Sequence, residues 1–393
     1  MNHIKLGKLI RKVDGNKNKQ LKDLPLLGIN IDKEFMPSVA NTIGTDMSNY
    51  QIVKREQFAC NPMHLGRDER MPTALLLNQD EILVSPAYFV FEVIDKNIIL
   101  PEYLMLYFKQ PETDRLLWFK TDSSVRGGLG WNELCDIEIP VPDLQVQKDI
   151  IRQYNQISDA IKIKEKLNNN LEEQAQAIFK SWFVDFSHFD GNKPNSWING
   201  TIGDFVEIKR GGSPRPIQDY ISEKGLRWLK ISDATAVDAP FILEIKEHIK
   251  ESGLRKTVYL KAGSLVLSNS ATPGIPRILS VDSCIHDGWL YFPKSKFSNE
   301  FLYLLFKNVR KSLIALGNGS IFTNLKTDIL KNFNTILPDN DTLSKFDAII
   351  KPYFIFMETN QKEIANLIGL RSALLPKLML ENSDICSDKL SFI

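Results

Sequence analysis

Two stretches of the chain place apolar residues in alternating steps of four and three. The first runs Ile150, Tyr154, Ile157, Ile161, Lys164, Asn168, Leu171, Ala175, Ile178, Trp182. The second lies 196 residues later at every rung: Phe346, Ile350, Tyr353, Met357, Asn360, Ile364, Leu367, Arg371, Leu374, Leu378. That spacing is a heptad seam and predicts two long helices, whose apolar rungs are the candidate helix–helix contacts. Two helices in one register, each ending one half of the chain, pack most simply on each other as an antiparallel coiled coil with pseudo-twofold symmetry. The plainer alternative is two unrelated amphipathic helices, each packed on its own domain. Lys164 and Asn360 are polar entries in matching rungs, placed either to fix register and partner or where the seam opens to water. Pro352 interrupts the second stretch, so that helix is expected to kink there or to begin only after it.

The same offset appears far from the seams, where Leu6-Gly7-Lys8-Leu9-Ile10 is echoed 196 residues on by Ile202-Gly203-Asp204-Phe205-Val206. Ile82-Leu83-Val84-Ser85 returns as Leu265-Val266-Leu267-Ser268, and Glu102 to Lys109 as Glu300 to Lys307, at offsets that drift as loop insertions make them drift. Short β-like runs (Leu75–Leu77, Glu81–Ser85, Val90–Ile94; Arg227–Ile231, Ser264–Leu267, Trp289–Phe292) alternate with Gly/Pro/Asn turns. Each half carries one short helix, Pro101–Gln110 or Asn299–Lys307. The fold class read from this is α+β: two α/β domains in tandem repeat, separated and joined by two long helices. The expected boundaries are 1–142 (first globular domain), 143–188 (central long helix), 189–338 (second globular domain), 339–380 (C-terminal long helix) and 381–393 (tail).

Composition narrows the chemistry. With 49 basic and 48 acidic residues the net charge is +1, so any nucleic-acid binding has to come from local basic patches rather than a global field. Cys60, Cys135, Cys284 and Cys386 are scattered, without metal-ligand or disulfide spacing, and a reduced cytoplasm fits them. No signal-like or membrane-spanning run is read. Phosphate-loop, dinucleotide and nucleophile-elbow motifs are absent: Gly128-Leu129-Gly130 meets Glu133 where a third glycine is needed, and Asn61-Pro62 is followed by Met63 instead of the aromatic of amino-methyltransferases. None of the five histidines sits in a catalytic or metal pattern, so neither catalysis nor a metal site is expected of this chain.

What remains are loops dense in small, polar and basic groups: Arg67 to Arg70, Ser123 to Gly128, Lys209 to Arg215, Ser268 to Thr272, and Gly317 to Ser320. Glycine lets backbone approach a sugar-phosphate chain, hydroxyls and amides bind phosphates, and arginine forks onto guanine, so this vocabulary suits duplex DNA. The candidate DNA contacts are Arg67, Arg70, Ser85, Tyr88 and Arg126 in the first domain. In the second they are Ser213, Arg215, Lys230, Asn269, Ser270, Thr272 and Ser320.

With these residues in view, the chain resembles the specificity (S) subunit of type I restriction-modification systems over nearly its whole length. The most specific piece is Glu173-Gln174-Ala175-Gln176-Ala177-Ile178-Phe179-Lys180-Ser181-Trp182-Phe183-Val184-Asp185-Phe186, similar to the family segment where the helix between two target-recognition domains ends. Ile137 to Pro142 with Gln147 resembles the step from recognition domain into helix, and the second copy, Ile336-Leu337-Pro338, keeps part of it. Gly211-Gly212-Ser213-Pro214, Leu226 to Asp233, Ser268 to Thr272 and His286-Asp287-Gly288 resemble a common recognition domain. His286-Asp287 departs there from the Asn-Gln that family members often carry. The first half, with Tyr50, Asn61 to Arg67 and Val84 to Tyr88, looks like a different subtype, and two unlike readers imply two unlike half-sites.

The resemblance implies a non-enzymatic subunit that binds double-stranded DNA with a bipartite target, docks two methyltransferase subunits and serves restriction/translocase subunits. S-adenosylmethionine, ATP and Mg are then expected on those partners and no cofactor on this chain. A helix of about 36 residues is roughly 54 Å long, enough to hold two readers about one turn of B-DNA apart, roughly 34 Å. The competing reading is a coiled-coil assembly or adaptor protein without DNA specificity, which has the same helices but no salt-dependent duplex binding.

Overall fold

The computed structural model describes residues 2–38, 44–63, 65–121, 128–317 and 324–380. The chain divides into two compact units, Met1–Ala160 with Ile368–Ile393, and Ile161–Leu367.

The first unit is built on a four-stranded antiparallel sheet ordered Ile10–Lys12, Phe89–Val93, Phe58–Cys60, Thr73–Leu75, with Gln51–Lys54 pairing separately to Glu81–Val84. Phe58 and Phe91 stack at 4.9 Å between ring centres, and Phe108 meets both edge-on. Phe108 ends the helix Pro101–Phe108, which buries residues on all its faces and so lies inside the unit. Two proline-started helices stand in series here, Pro101–Phe108 and Pro111–Phe119. A proline ends one helix yet is preorganised for the first turn of the next.

In the second unit one five-stranded sheet runs Val206–Arg210, Trp289–Ser295, Leu265–Ser268, Pro276–Leu279, Phe241–Ile242. The other runs Ile221–Ser222, His248–Ile249, Leu226–Leu229, Ser283–Ile285, Val258–Leu260. Both mix parallel and antiparallel pairing.

Around these unlike sheets the frame repeats. Asn2–Lys5 pairs antiparallel with Glu138–Val141, Asn2 opposite Val141, and Ile198–Thr201 pairs with Asn334–Leu337, Ile198 opposite Leu337, so each partner moves by 196. A short helix sits behind each clasp, Trp131–Cys135 and Thr327–Lys331. A Cβ on Gly7 would lie 2.8 Å from the Cys135 Cβ, and one on Gly203 3.1 Å from the Lys331 carbonyl oxygen. The echoed glycine is therefore a close-approach site, where the helical turn that follows the clasp strand (Leu6–Lys8 or Ile202–Phe205) touches the short helix without room for a methyl group.

The two long helices span Leu144–Phe183 and Asn340–Leu380 and pack antiparallel. In the first unit Ile150 and Tyr154 share a core with Leu375 and Met379, while the Arg371 guanidinium lies 5.7 Å over the Tyr154 ring and donates to Ser158 Oγ at 3.3 Å. In the second unit Ala175, Phe179 and Trp182 share a core with Phe346, Ile350, Phe354 and Met357. Every rung of the two stripes is buried or half-buried, including the half-buried Ile157, Leu171, Ile178, Ile364, Leu367 and Leu374. Near the C-terminal end the deepest positions are Leu375 and Met379 rather than Leu374 and Leu378. An α-helix drifts against a strict seven-residue repeat, so the buried edge moves by one position.

The polar rungs form a network in the second unit. Lys164 Nζ donates to Asn360 Oδ1 at 3.4 Å and pairs with Glu363, Asn360 donates to Asn168 Oδ1 at 3.0 Å, and Asn168 donates to the Met357 carbonyl at 3.1 Å. Asn168 and Asn360 are buried, while Lys164 reaches the part-exposed Glu363, so Asn360 lies inside the seam and Lys164 at its edge.

Some expectations are corrected. The second long helix begins at Asn340 and continues through Pro352. Pro352 and Ala348, whose carbonyl loses its donor, are both exposed, so the missing hydrogen bond faces solvent rather than core. The first half has three helices after its sheet where one was expected, and the helix starting at Asn299 extends to Gly317. Strands occupy Thr73–Leu75 and Trp289–Ser295, shifted or lengthened against the apolar runs, because backbone pairing and not side-chain hydrophobicity ends a strand.

Candidate nucleic-acid interface

The second half gathers its candidates around His286-Asp287-Gly288. Asp287 is the hub: Ser213 donates its hydroxyl to Asp287 Oδ1 at 2.7 Å, the Arg215 guanidinium donates to Oδ2 at 3.2 Å, and Arg210 Nε donates to the Asp287 carbonyl. The Ser213 hydroxyl above all, with the backbone N–H of Asp287 itself and the Arg215 charge adding to it against partial burial, holds the Asp287 carboxyl below its usual range. Arg215 is otherwise exposed, a cation held in place at the surface by one carboxylate.

Close backbone approach makes this geometry possible. A Cβ on Gly211 would meet the His286 carbonyl oxygen at 2.3 Å, and one on Gly288 would fall 2.2 Å from His286 Cε1 and 2.5 Å from Ser270 Oγ. Gly211 N–H donates to the Trp289 carbonyl and Asn269 N–H to the Gly288 carbonyl, each at 2.9 Å, so both candidate loops are bound to the 286–289 turn. Asn269 is buried and its Oδ1 has no hydrogen-bond partner among the described residues. The Ser268 hydroxyl closes its own loop, donating to the Thr272 carbonyl at 2.6 Å and accepting from Ile275 N–H at 2.9 Å. Ser213, Arg215, Asn269 and Ser270 are thus brought together, with Thr272 on the same turn. Lys230 is paired with Glu247. Ser320 lies outside the described residues.

In the first half Tyr88 is half-buried; burial pushes its phenol up, against the lowering effect of the neighbouring Ile29 backbone and Asn61 side chain. Ser85 Oγ accepts from Ala87 N–H at 3.3 Å, and Gln51 Nε2 donates to the carbonyls of Pro86 and Tyr88 at 3.1 and 2.5 Å. Leu129 N–H donates to the Pro62 carbonyl at 3.2 Å, which ties the Asn61-Pro62 segment to Leu129; residues 122–127 lie outside the described residues. Arg70 stands elsewhere, in a 630 Å³ cleft with Lys109, Arg115 and Arg371 and the buried Lys33–Asp114 ion pair. Arg126 and the Arg67 side chain lie outside the described residues. In the sequence His286-Asp287 stand out only as a departure from the family pattern, and neither they nor Gln51 or Arg371 are among the candidate contacts. Asp287 carried no signal of this role in the sequence, because the basic glycine loop lies more than seventy residues away and reaches it only on folding.

Among the described residues no cluster of His, Cys, Asp and Glu is arranged to hold a metal, and no helix is long and apolar enough to cross a membrane. Gln147 explains the residue type at the entry to the first long helix. It is buried, its amide donates to the carbonyls of Ile98 and Pro142 at 2.9 and 2.8 Å, and its Oε1 accepts from Leu100 N–H at 2.8 Å. At the exit Phe179, Trp182 and Phe183 interlock with Phe346, and Phe179 and Phe183 also meet Phe301, at ring separations of 4.8–6.1 Å.

Residues 65–173 and 194–368 match the type I restriction modification DNA specificity domain. The specificity subunit of the type I restriction enzyme MjaIX of Methanocaldococcus jannaschii is 25% identical over 308 residues, 73% of this chain and 70% of that one. The HindI specificity subunit of Haemophilus influenzae is 24% identical over 376 residues, 76% of this chain and 81% of its own. Among solved structures, the type I restriction-modification S subunit of M. genitalium shares the fold, with a TM-score of 0.58 at 14% identity, over 96% of each chain.

Proposed function

Because this chain belongs to the type I restriction-modification DNA specificity subunits, which are themselves non-catalytic, we propose that its two globular halves each read one half of a bipartite duplex target. In this reading 1–142 and 189–338 are the readers, 143–188 and 339–380 are the frame that sets the spacer and docks two methyltransferase subunits, and 381–393 is a tail. The observation that carries it is the pairing of one frame, repeated at a constant offset of 196 residues down to strand register and glycine contact, with two sheets of different topology. A frame built twice presents its cargo equivalently; readers that differ read different half-sites. An adaptor without DNA specificity falls with the family assignment.

DNA contacts are assigned to the loops around Asp287 in the second half and around Tyr88, Arg67 and the Ser123–Gly128 segment in the first, Arg70 being set apart in its cleft. S-adenosylmethionine, ATP and Mg belong to the methyltransferase and restriction/translocase subunits of a cytoplasmic complex. Co-expression with a cognate type I methyltransferase subunit, followed by methylome sequencing, is expected to yield one split motif. Replacing residues 189–338 by those of another such subunit is expected to change one half-site and leave the other and the spacer intact. Methylation independent of this chain, or a change in both half-sites, overturns the reading.

A further inference from the structure

His286 stands at the centre of the second candidate surface. Its Nδ1 accepts a hydrogen bond from the backbone N–H of Gly288 at 2.8 Å. A backbone amide can only donate, so in the neutral ring Nδ1 carries the lone pair and the proton resides on Nε2. Protonating the ring would put two N–H groups face to face, which adds to the effect of burial between Trp228 and Trp289 in holding the imidazole neutral. Burial pushes its pKa down, the Asp287 carboxylate 3.8 Å away raises it, and Lys230 and Arg210 lower it, with a net downward direction. Nε2–H has no hydrogen-bond partner among the described residues, and neither has the Ser270 hydroxyl on the other side of Gly288. Ser213 and Arg215 are occupied by Asp287 in the free protein.

We propose that His286 is a specificity-determining residue of the second half, its Nε2–H donating to an acceptor on a base edge of the target, with Gly288 fixing the tautomer. The assignment rests on the reading of this half as a DNA reader. Guanine offers N7 and O6, adenine N7 and thymine O4 as major-groove acceptors, while cytosine presents only its amino donor, so the contacted base is a purine or thymine and not cytosine.

Asparagine and glutamine separate the two ring nitrogens. His286→Asn places an amide oxygen near Nδ1, keeps the Gly288 contact and loses the outer donor; His286→Gln reaches the Nε2 position with an N–H. In the methyltransferase complex, His286→Asn is expected to relax or change one base of the second half-site with the first half-site and spacer untouched, and His286→Gln to keep the wild-type motif. Duplexes carrying 7-deazapurines, 2-aminopurine for guanine, or 5-methyl-2-pyrimidinone for thymine test the wild type without any variant. One acceptor deletion in the second half-site is expected to weaken binding about five- to tenfold, and in His286→Asn that same deletion costs nothing further. An unchanged motif in folded His286→Asn, or a wild type indifferent to every acceptor deletion in that half-site, overturns the assignment of His286 alone. The absence of any split motif in the wild type overturns the function proposed above together with it.

Discussion

Asp282 receives three donors at once: Lys261 Nζ and Ala262 N–H at 2.8 Å and Tyr259 OH at 3.0 Å, which pull its pKa down from 3.8 to about 2. A carboxylate depressed in the folded state contributes stability that is present above its unfolded pKa and disappears as pH falls through the folded one. The stability difference between wild type and Asp282→Asn is therefore expected to be constant near neutral pH and to shrink as pH falls from about 4 to about 2, read by thermal denaturation across that range. A gap that widens on acidification contradicts the assignment of these bonds. Gly7 illustrates a steric constraint. Its Cβ would press on the Cys135 Cβ at 2.8 Å, an atom with no freedom to swing away. Gly7→Ala is expected to cost about 1–3 kcal/mol, measurable by urea denaturation, whereas Gly15→Ala, with open space but a φ of +69°, costs through backbone strain alone. Neither effect is visible in a single residue's identity; the glycine echo at 7 and 203 is legible, but its cause is a neighbour more than a hundred residues away.

For the helices, the buried Asn168–Asn360 pair is the testable unit. Removing one partner leaves a buried polar group unmatched, and Asn360→Leu alone is expected to cost about 1–3 kcal/mol. Asn168→Leu with Asn360→Leu is expected to cost less than the sum of the two single changes, and the cycle is measured by chemical denaturation at fixed pH. Additive single and double costs would show that the two amides do not act together. The seam was legible because heptad spacing survives any loop insertion. Pro352 reads in the sequence as a kink or a start, yet the helix runs through it, because the cost of proline depends on whether the lost donor faces core or solvent, and sequence does not show which. The extra helix Pro111–Phe119 was missed because a Pro after a helix reads equally as a stop and as a start.

At the scale of the whole molecule, the lengths of the helices bear on the proposed spacing. Lys164 and Asn360 face each other, so one heptad inserted after each preserves the seam while lengthening the pair by about 10 Å. That is about three base-pair steps of B-DNA. The expected outcome is a spacer longer by about that number with both half-sites unchanged, read by methylome sequencing. An unchanged spacer with altered half-site bases defeats the proposal that the helices set the spacer.

Periodicity and repetition along the chain determined the α+β class, the two halves and the antiparallel pair, because heptad spacing and a constant offset are properties of residue order. Tertiary structure alone decided which polar loops meet. Ser213 and Arg215 find Asp287 more than seventy residues away, and His286 acquires a fixed tautomer from Gly288, because glycines at 211 and 288 let three backbones approach within contact distance. Arg70, similar to them in the sequence, stands instead in the cleft with Arg371. Local order specifies which residues can bury one face of a helix, whereas a binding surface is assembled from segments whose meeting depends on strand pairing and excluded volume.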